Sequence, residues 1–74
     1  MMTLDMYLED HGTAARLAKK TGLSTAAISR ARHGRPLSFR NAILVEVESA
    51  GLVPAESICD DERALAVWRT MVPA

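Results

Sequence analysis

The sequence predicts an all-α domain of about five short helices, and three observations carry that prediction. Glycines and N-capping hydroxyl residues punctuate the chain at the spacing of short helices. Between them the apolar residues recur at three- and four-residue steps. At 74 residues with 49% hydrophobic content, the chain can bury one core, near the lower size limit for a self-sufficient domain.

The first helix is expected over Leu4–His11, with Thr3 as N-cap, Asp5 in the first turn, where a negative charge suits the macrodipole, and Gly12 as stop. Leu4, Tyr7, Leu8 and His11 fall at i, i+3, i+4 and i+7 and form its inward stripe. Tyr7 reads as a core-edge aromatic, and His11 as a partner for the free carbonyls at the helix end.

Residues 12–35, GTAARLAKKTGLSTAAISRARHGR, are the informative stretch. Thr13 N-caps a helix running to about Thr21, and Gly22 follows where the chain must take positive φ. Leu23 plugs the corner. Ser24 caps the next helix, from Thr25 to about His33, with Gly34 as its stop. Small Ala18 and Ala27 let two steeply crossed helices approach, and Leu17, Leu23, Ile28 and Ala31 are spaced for a shared core. This is the pattern of a helix-turn-helix, with the motif over about 13–33.

Arg35-Pro36 forces a turn, because the residue before proline is pushed out of the α region. Ser38 is placed to cap a fourth helix, Phe39–Ala50, closed by Gly51. Its apolar stripe is Phe39, Ile43, Val47 and Ala50, widened by Leu44 and Val45. β-Branched Ile43, Val45 and Val47 also suit a strand, but the terminal serine and glycine favour helix. Val53–Cys59 reads as a short helical turn with Pro54 in its first position. Asp60 is expected to cap a last helix over about 61–71. Leu65, Trp68 and Val72 would share one side of it, beside Ala64, Val67 and Met71. So apolar a tail helix either packs on the first helix or forms a subunit contact.

Charge adds the functional signal. Between His11 and Val45 stand seven basic residues (Arg16, Lys19, Lys20, Arg30, Arg32, Arg35 and Arg40) and no acidic one. Residues 1–10 carry −3, 11–40 carry +7, 41–62 carry −6 and 63–74 carry +2, summing to zero. A basic centre between acidic flanks gives a polarised molecule with one face turned to a polyanion, so the neutral total does not argue against DNA. The single cysteine, Cys59, excludes an intrachain disulfide and reads as a small core residue. His11 and His33 lie too far apart for a ligand pair. No signal peptide or membrane-spanning run is present. No nucleophile, base and orienting group come together, and the glycines lack a phosphate-loop order. The expectation is a cytoplasmic protein of a bacterial host cell, not an enzyme, with no cofactor, metal, membrane or small-molecule substrate.

Thr3-Leu4, Tyr7, Gly12-Thr13, Leu17-Ala18-Lys19, Gly22 and Ala27-Ile28-Ser29 resemble the Cro repressors of lambdoid phages and the related YdaS-type regulators. Glu46-x-x-x-Ala50-Gly51-Leu52 is similar to the fourth-helix ending of the all-helical Cro subgroup. The resemblance covers about two-thirds of the chain and stops at Cys59. It implies a lambda-repressor-like fold and a transcriptional repressor of phage or prophage type. Two residues depart from the family pattern. Ala14 stands where the motif's first helix often begins with a phosphate-binding glutamine, and Thr21 occupies a usually apolar core position. Register on DNA then falls to Thr13 or Arg16.

In such proteins the second helix enters the major groove with its N-terminal residues on base edges. The base-contacting candidates are Ser24, Thr25, Ala26, Ser29 and Arg30, with His33 at the far end. Arg30 can grip guanine O6 and N7 bidentately; its alternative role is a phosphate contact. Thr13, Arg16, Arg35, Ser38 and Arg40 are the phosphate candidates. Lys19, Lys20 and Arg32 add long-range field. One helix reads too few base pairs for a specific site, so a homodimer on a palindromic operator is expected, with Trp68 and Met71 at its interface. A rival reading is an antitoxin-like regulator whose acidic, apolar C-terminal half masks a protein partner. A second rival is a helical adaptor that binds protein alone.

Overall fold

The computed structural model describes residues 2–71. Among them are five α-helices and a 3-10 turn: α1 Leu4–Asp10, α2 Ala14–Thr21, α3 Thr25–Arg32, α4 Phe39–Glu48, the turn Ala55–Ser57, and α5 Glu62–Met71. No strand is present among them beyond one isolated parallel bridge, Leu37 to Cys59. The all-helical class is as the sequence predicts, and residues 43–47 are helical.

The first three helices start where a hydroxyl can cap them. Thr3 Oγ1 accepts from the Met6 N–H at 3.2 Å, Thr13 Oγ1 from the Arg16 N–H at 3.2 Å, and Ser24 Oγ from the Ala27 N–H at 3.0 Å. Each bond satisfies a donor that the helix itself leaves open. Gly22, at φ 80°, ends α2 in the left-handed conformation expected of it, its N–H bonded to the Ala18 carbonyl. α1 ends one residue early, at Asp10. His11 follows it with its backbone N–H on the Tyr7 carbonyl, while its ring stacks on Tyr7 at 5.1 Å instead of reaching the open carbonyls.

The core runs through every helix. Leu4 and Leu8 of α1, Leu17 and Ala18 of α2, and Ile28 and Ala31 of α3 meet Ala42 and Val45 of α4. Val53, Ala55, Ile58 and Leu65 close it from the C-terminal side, and Cys59 packs against its edge. Thr21 is buried in the position where the sequence departs from the family pattern. Its hydroxyl donates to the Leu17 carbonyl at 2.9 Å and accepts from the Leu23 N–H at 3.3 Å. The buried hydroxyl is therefore satisfied, and it serves the corner between α2 and α3.

Three expectations need correction in the C-terminal half. The inward face of α4 is Ala42, Val45 and Ser49, flanked by Phe39 and Ile43, whereas Val47 is 65% exposed and Ala50 is exposed. Five of the seven residues from 42 to 48, all but Glu46 and Glu48, are apolar and leave several stripes available, and packing against α2 and the 3-10 turn selects the one carrying small Ala42. Second, α4 stops at Glu48. Ser49 turns its hydroxyl inward to accept from the Val53 N–H at 3.0 Å, and Ala50 takes φ 55° ahead of Gly51 at φ 84°. Gly51 N–H then bonds the Glu46 carbonyl at 2.9 Å, the Schellman closure, with alanine in the left-handed position. Third, Asp61 rather than Asp60 caps α5, its Oδ1 accepting from the Ala64 N–H at 2.9 Å. The turn before it begins at Ala55, with Pro54 as its N-cap. Val72, expected on the same side as Leu65 and Trp68, lies outside the described residues.

Two long-range links hold the loops. Leu37 N–H bonds the Ile58 carbonyl at 2.6 Å, and Asp60 N–H bonds the Leu37 carbonyl at 3.1 Å. They tie the segment after α3 to the segment before α5. In addition, the Arg69 guanidinium reaches back from α5 to both Glu46 of α4 and Glu56 of the turn. α5 thus contacts the 3-10 turn rather than being laid along α1 as one reading of the sequence expects.

This clamp makes a pH prediction. Hydrogen bonds and charge from Arg69 hold the Glu56 carboxyl down at about 2, and lower that of Glu46 as well. A depressed carboxylate contributes stability above its ordinary range that is lost as pH falls through the folded value. The clamp is intact at neutral pH and is expected to release between about pH 4.5 and 2, with solvent and salt weakening it because Arg69 and Glu56 are exposed. Trp68, stacked 4.8 Å from the Arg69 guanidinium, reports the release by fluorescence. Arg69→Met should flatten that acid step while leaving the far-ultraviolet circular dichroism at neutral pH unchanged.

Candidate nucleic-acid interface

α2 and α3 pack against each other, and α2 also packs on α4. With Ile28 and Ala31 turned into this contact, the opposite face of α3 is left to solvent. Thr25, Ala26, Ser29 and Arg30 are all exposed on it, and exposed His33 follows at the C-cap. The structure thus brings together five of the six base-contact candidates on one surface. Ser24 is the exception in kind. Its oxygen accepts the cap bond, which leaves its O–H donor and one further lone pair for a ligand. The same holds for Thr13 at the start of α2.

The remaining cations divide into two places. Arg30, Arg35 and Ser38 line one concavity between α3 and the start of α4, together with Ala27, Pro36, Leu37 and Asn41. Ser38 makes no side-chain cap bond among the described residues, unlike the caps of α1, α2 and α3. Arg40 is exposed on the next residue pair but does not line this concavity. Thr13 and Arg16 sit in a smaller depression at the entrance to α2, bordered by Tyr7, His11, Gly12, Leu17 and Lys20. Asn41, Lys20 and His11 are the residues that the sequence reading missed as neighbours of these positions. Asn41 carries no charge to draw attention, and His11 comes from a different helix.

The charges are not all equal. Arg32 bonds Asp5 of α1 through Nε at 2.5 Å, with Glu9 at 3.9 Å from its Nη2. Its positive field is cancelled locally, which corrects the expectation that it adds to the long-range potential. Among the described residues Arg16, Lys19, Lys20, Arg30, Arg35 and Arg40 form no salt bridge. An exposed pair of this kind stabilises folding by only about 0–1 kcal/mol, so its larger effect is on the surface field. If this face binds DNA, Asp5→Asn is expected to release Arg32 and raise affinity for nonspecific duplex DNA, with a salt dependence steeper by about one counterion. Binding titrations at several salt concentrations measure both; an unchanged slope means that Arg32 stays off the phosphates.

The arrangement offers donors and cations to a polyanion. It has an exposed helix face of small and hydroxyl-bearing residues, Arg30 in the last turn of that helix, and Arg35 in the same concavity as Arg30. No helix among the described residues is long and apolar enough to cross a membrane. Comparisons with protein-family models, with curated proteins and with solved structures find no significant match.

Proposed function

We propose that this chain is a helix-turn-helix DNA-binding protein of lambda-repressor-like fold, acting as a Cro-type transcriptional repressor. In this reading α2 and α3 form the motif, α3 enters the major groove, and a homodimer occupies a palindromic operator. One observation carries it: the outward face of α3 presents Thr25, Ala26, Ser29 and Arg30, accompanied by cations at Arg16, Arg35 and Arg40 that are unpaired among the described residues. A helix that served only as scaffold has no need of a one-signed surface. The family resemblance over residues 3–34 supports the same reading, and the caps at Thr13 and Ser24 support rigid presentation of α3.

The roles follow from chemistry. Arg30 reads guanine through its fork of donors, the Ala26 methyl packs on a thymine methyl, and Thr25 and Ser29 offer hydroxyls to base edges. Arg16, Arg35, Ser38, Arg40 and the Thr13 O–H position the backbone through phosphates. None of the acidic residues of 41–62 lines the concavity of Arg30 and Arg35 or the depression of Thr13 and Arg16, and their charge favours a single docking orientation. Selection of bound duplexes from a random-sequence pool at near-physiological salt tests the reading. A two-fold symmetric consensus is the expected result. Recovery of no consensus, with binding that only fades as salt rises, defeats sequence-specific repression.

A further inference from the structure

Several apolar side chains that the core does not use gather on one surface. Phe39, the first residue of α4, joins Ala64, Val67, Trp68 and Met71 of α5 along a shallow groove with Arg63 at its edge. Positions 64, 67, 68 and 71 are i, i+3, i+4 and i+7, a complete helix face. It is not the face that anchors α5, because Leu65 points into the core and Arg69 is clamped to Glu46 and Glu56. Val67 is 54% and Met71 75% exposed. So contiguous an apolar strip on a small domain marks a contact surface.

We propose that this groove receives the same groove of a second copy of the chain, and that in dilute solution the contact closes only when both copies lie on one operator. The proposal rests on the DNA-binding reading and adds to it the face that is used and its coupling to DNA. Three features select a second copy as the occupant. Phe39 stands between Ser38 and Arg40, so the groove borders the basic face and a partner seated there lies against the same duplex, as a dyad between half-sites demands. The lining is apolar but for Arg63, which suits a self-complementary two-fold contact and offers little to a partner of one strong charge. Finally, one strip on a ten-residue helix is far smaller than the roughly 20–30 residues a side of a stable interface, so the free protein remains largely monomeric. DNA then supplies the missing stabilisation by holding two copies at high effective concentration.

Trp68 is the chain's single tryptophan, so its emission reads this groove directly. The full-length protein is titrated with the palindromic duplex recovered by selection and with a duplex carrying one half-site. Two copies should bind the palindrome with a shift of Trp68 emission, and one copy should bind the half-site without it. Val67→Asp changes an exposed position and leaves folding intact. It should bind the half-site as wild type does and lose about tenfold or more on the palindrome. Equal palindrome affinity in Val67→Asp, or two bound copies with unshifted Trp68, overturns the proposal. If no duplex binds at all, the repressor reading has failed, and sedimentation equilibrium judges the groove alone. Self-association approaching millimolar concentration that Val67→Asp abolishes upholds the contact; monomers throughout, or a groove covered by a different protein, overturn it.

Discussion

If α3 reads an operator as proposed, Arg30→Ala is expected to leave the fold intact and to erase a preference for guanine at one position of each half-site. Arg30 is exposed and forms no ion pair among the described residues. Its removal therefore costs the protein little stability. A bidentate grip on guanine is worth about 1–3 kcal/mol of discrimination, or roughly 5- to 150-fold between the right and wrong base. Competition among duplexes substituted one base at a time measures that loss. Arg35→Ala is the contrast. It should weaken all duplexes alike and lower the salt slope by about one, the signature of a phosphate contact. Should Arg30→Ala also weaken every duplex equally, Arg30 belongs with the phosphate contacts, and base reading falls to Thr25, Ala26 and Ser29.

The second large effect is on stability. Ile28→Ala should destabilise the domain by about 2–5 kcal/mol, the usual range for truncating a fully buried aliphatic side chain. Ile28 has no exposed surface and belongs to the core where α3 meets its neighbours. A chain of 74 residues has only about 4–11 kcal/mol in total, so this variant is expected to be partly unfolded near body temperature. Its melting temperature should fall by about 4–8 °C for each kcal/mol lost. Val47→Ala provides the comparison. On the sequence stripe it belongs to the core, but at 65% exposure it should stay within about 0.5 kcal/mol of wild type. Thermal melts of the two variants test the corrected face of α4. A large loss in Val47→Ala would restore the stripe expected from periodicity.

The contrast between those two residues shows what the sequence by itself determined. It placed α2 and α3 to the residue at their starts, because Thr13 and Ser24 cap N–H groups three residues away and the signal is confined to one turn. Gly22 was legible for the same reason: positive φ is a property of one residue. The inward side of α3 was legible too, since Ile28 and Ala31 stand three residues apart, opposite Thr25, Ala26, Ser29 and Arg30, and Ile28 is the helix's one large apolar side chain.

The tertiary structure decided everything that depends on distant partners. α4 offers apolar side chains around most of its circumference, and only the position of α2 and the 3-10 turn turns Val45 inward and Val47 outward. Arg32 looks like one more cation in a basic run until α1 brings Asp5, 27 residues earlier, to 2.5 Å. The same is true of Arg69, which meets Glu46 and Glu56 from 23 and 13 residues away, and of Leu37 with Cys59. A capping bond closes within one turn and is written in the order of residues. A salt bridge between helices, or a choice between two apolar faces, exists only once the helices have been packed in space.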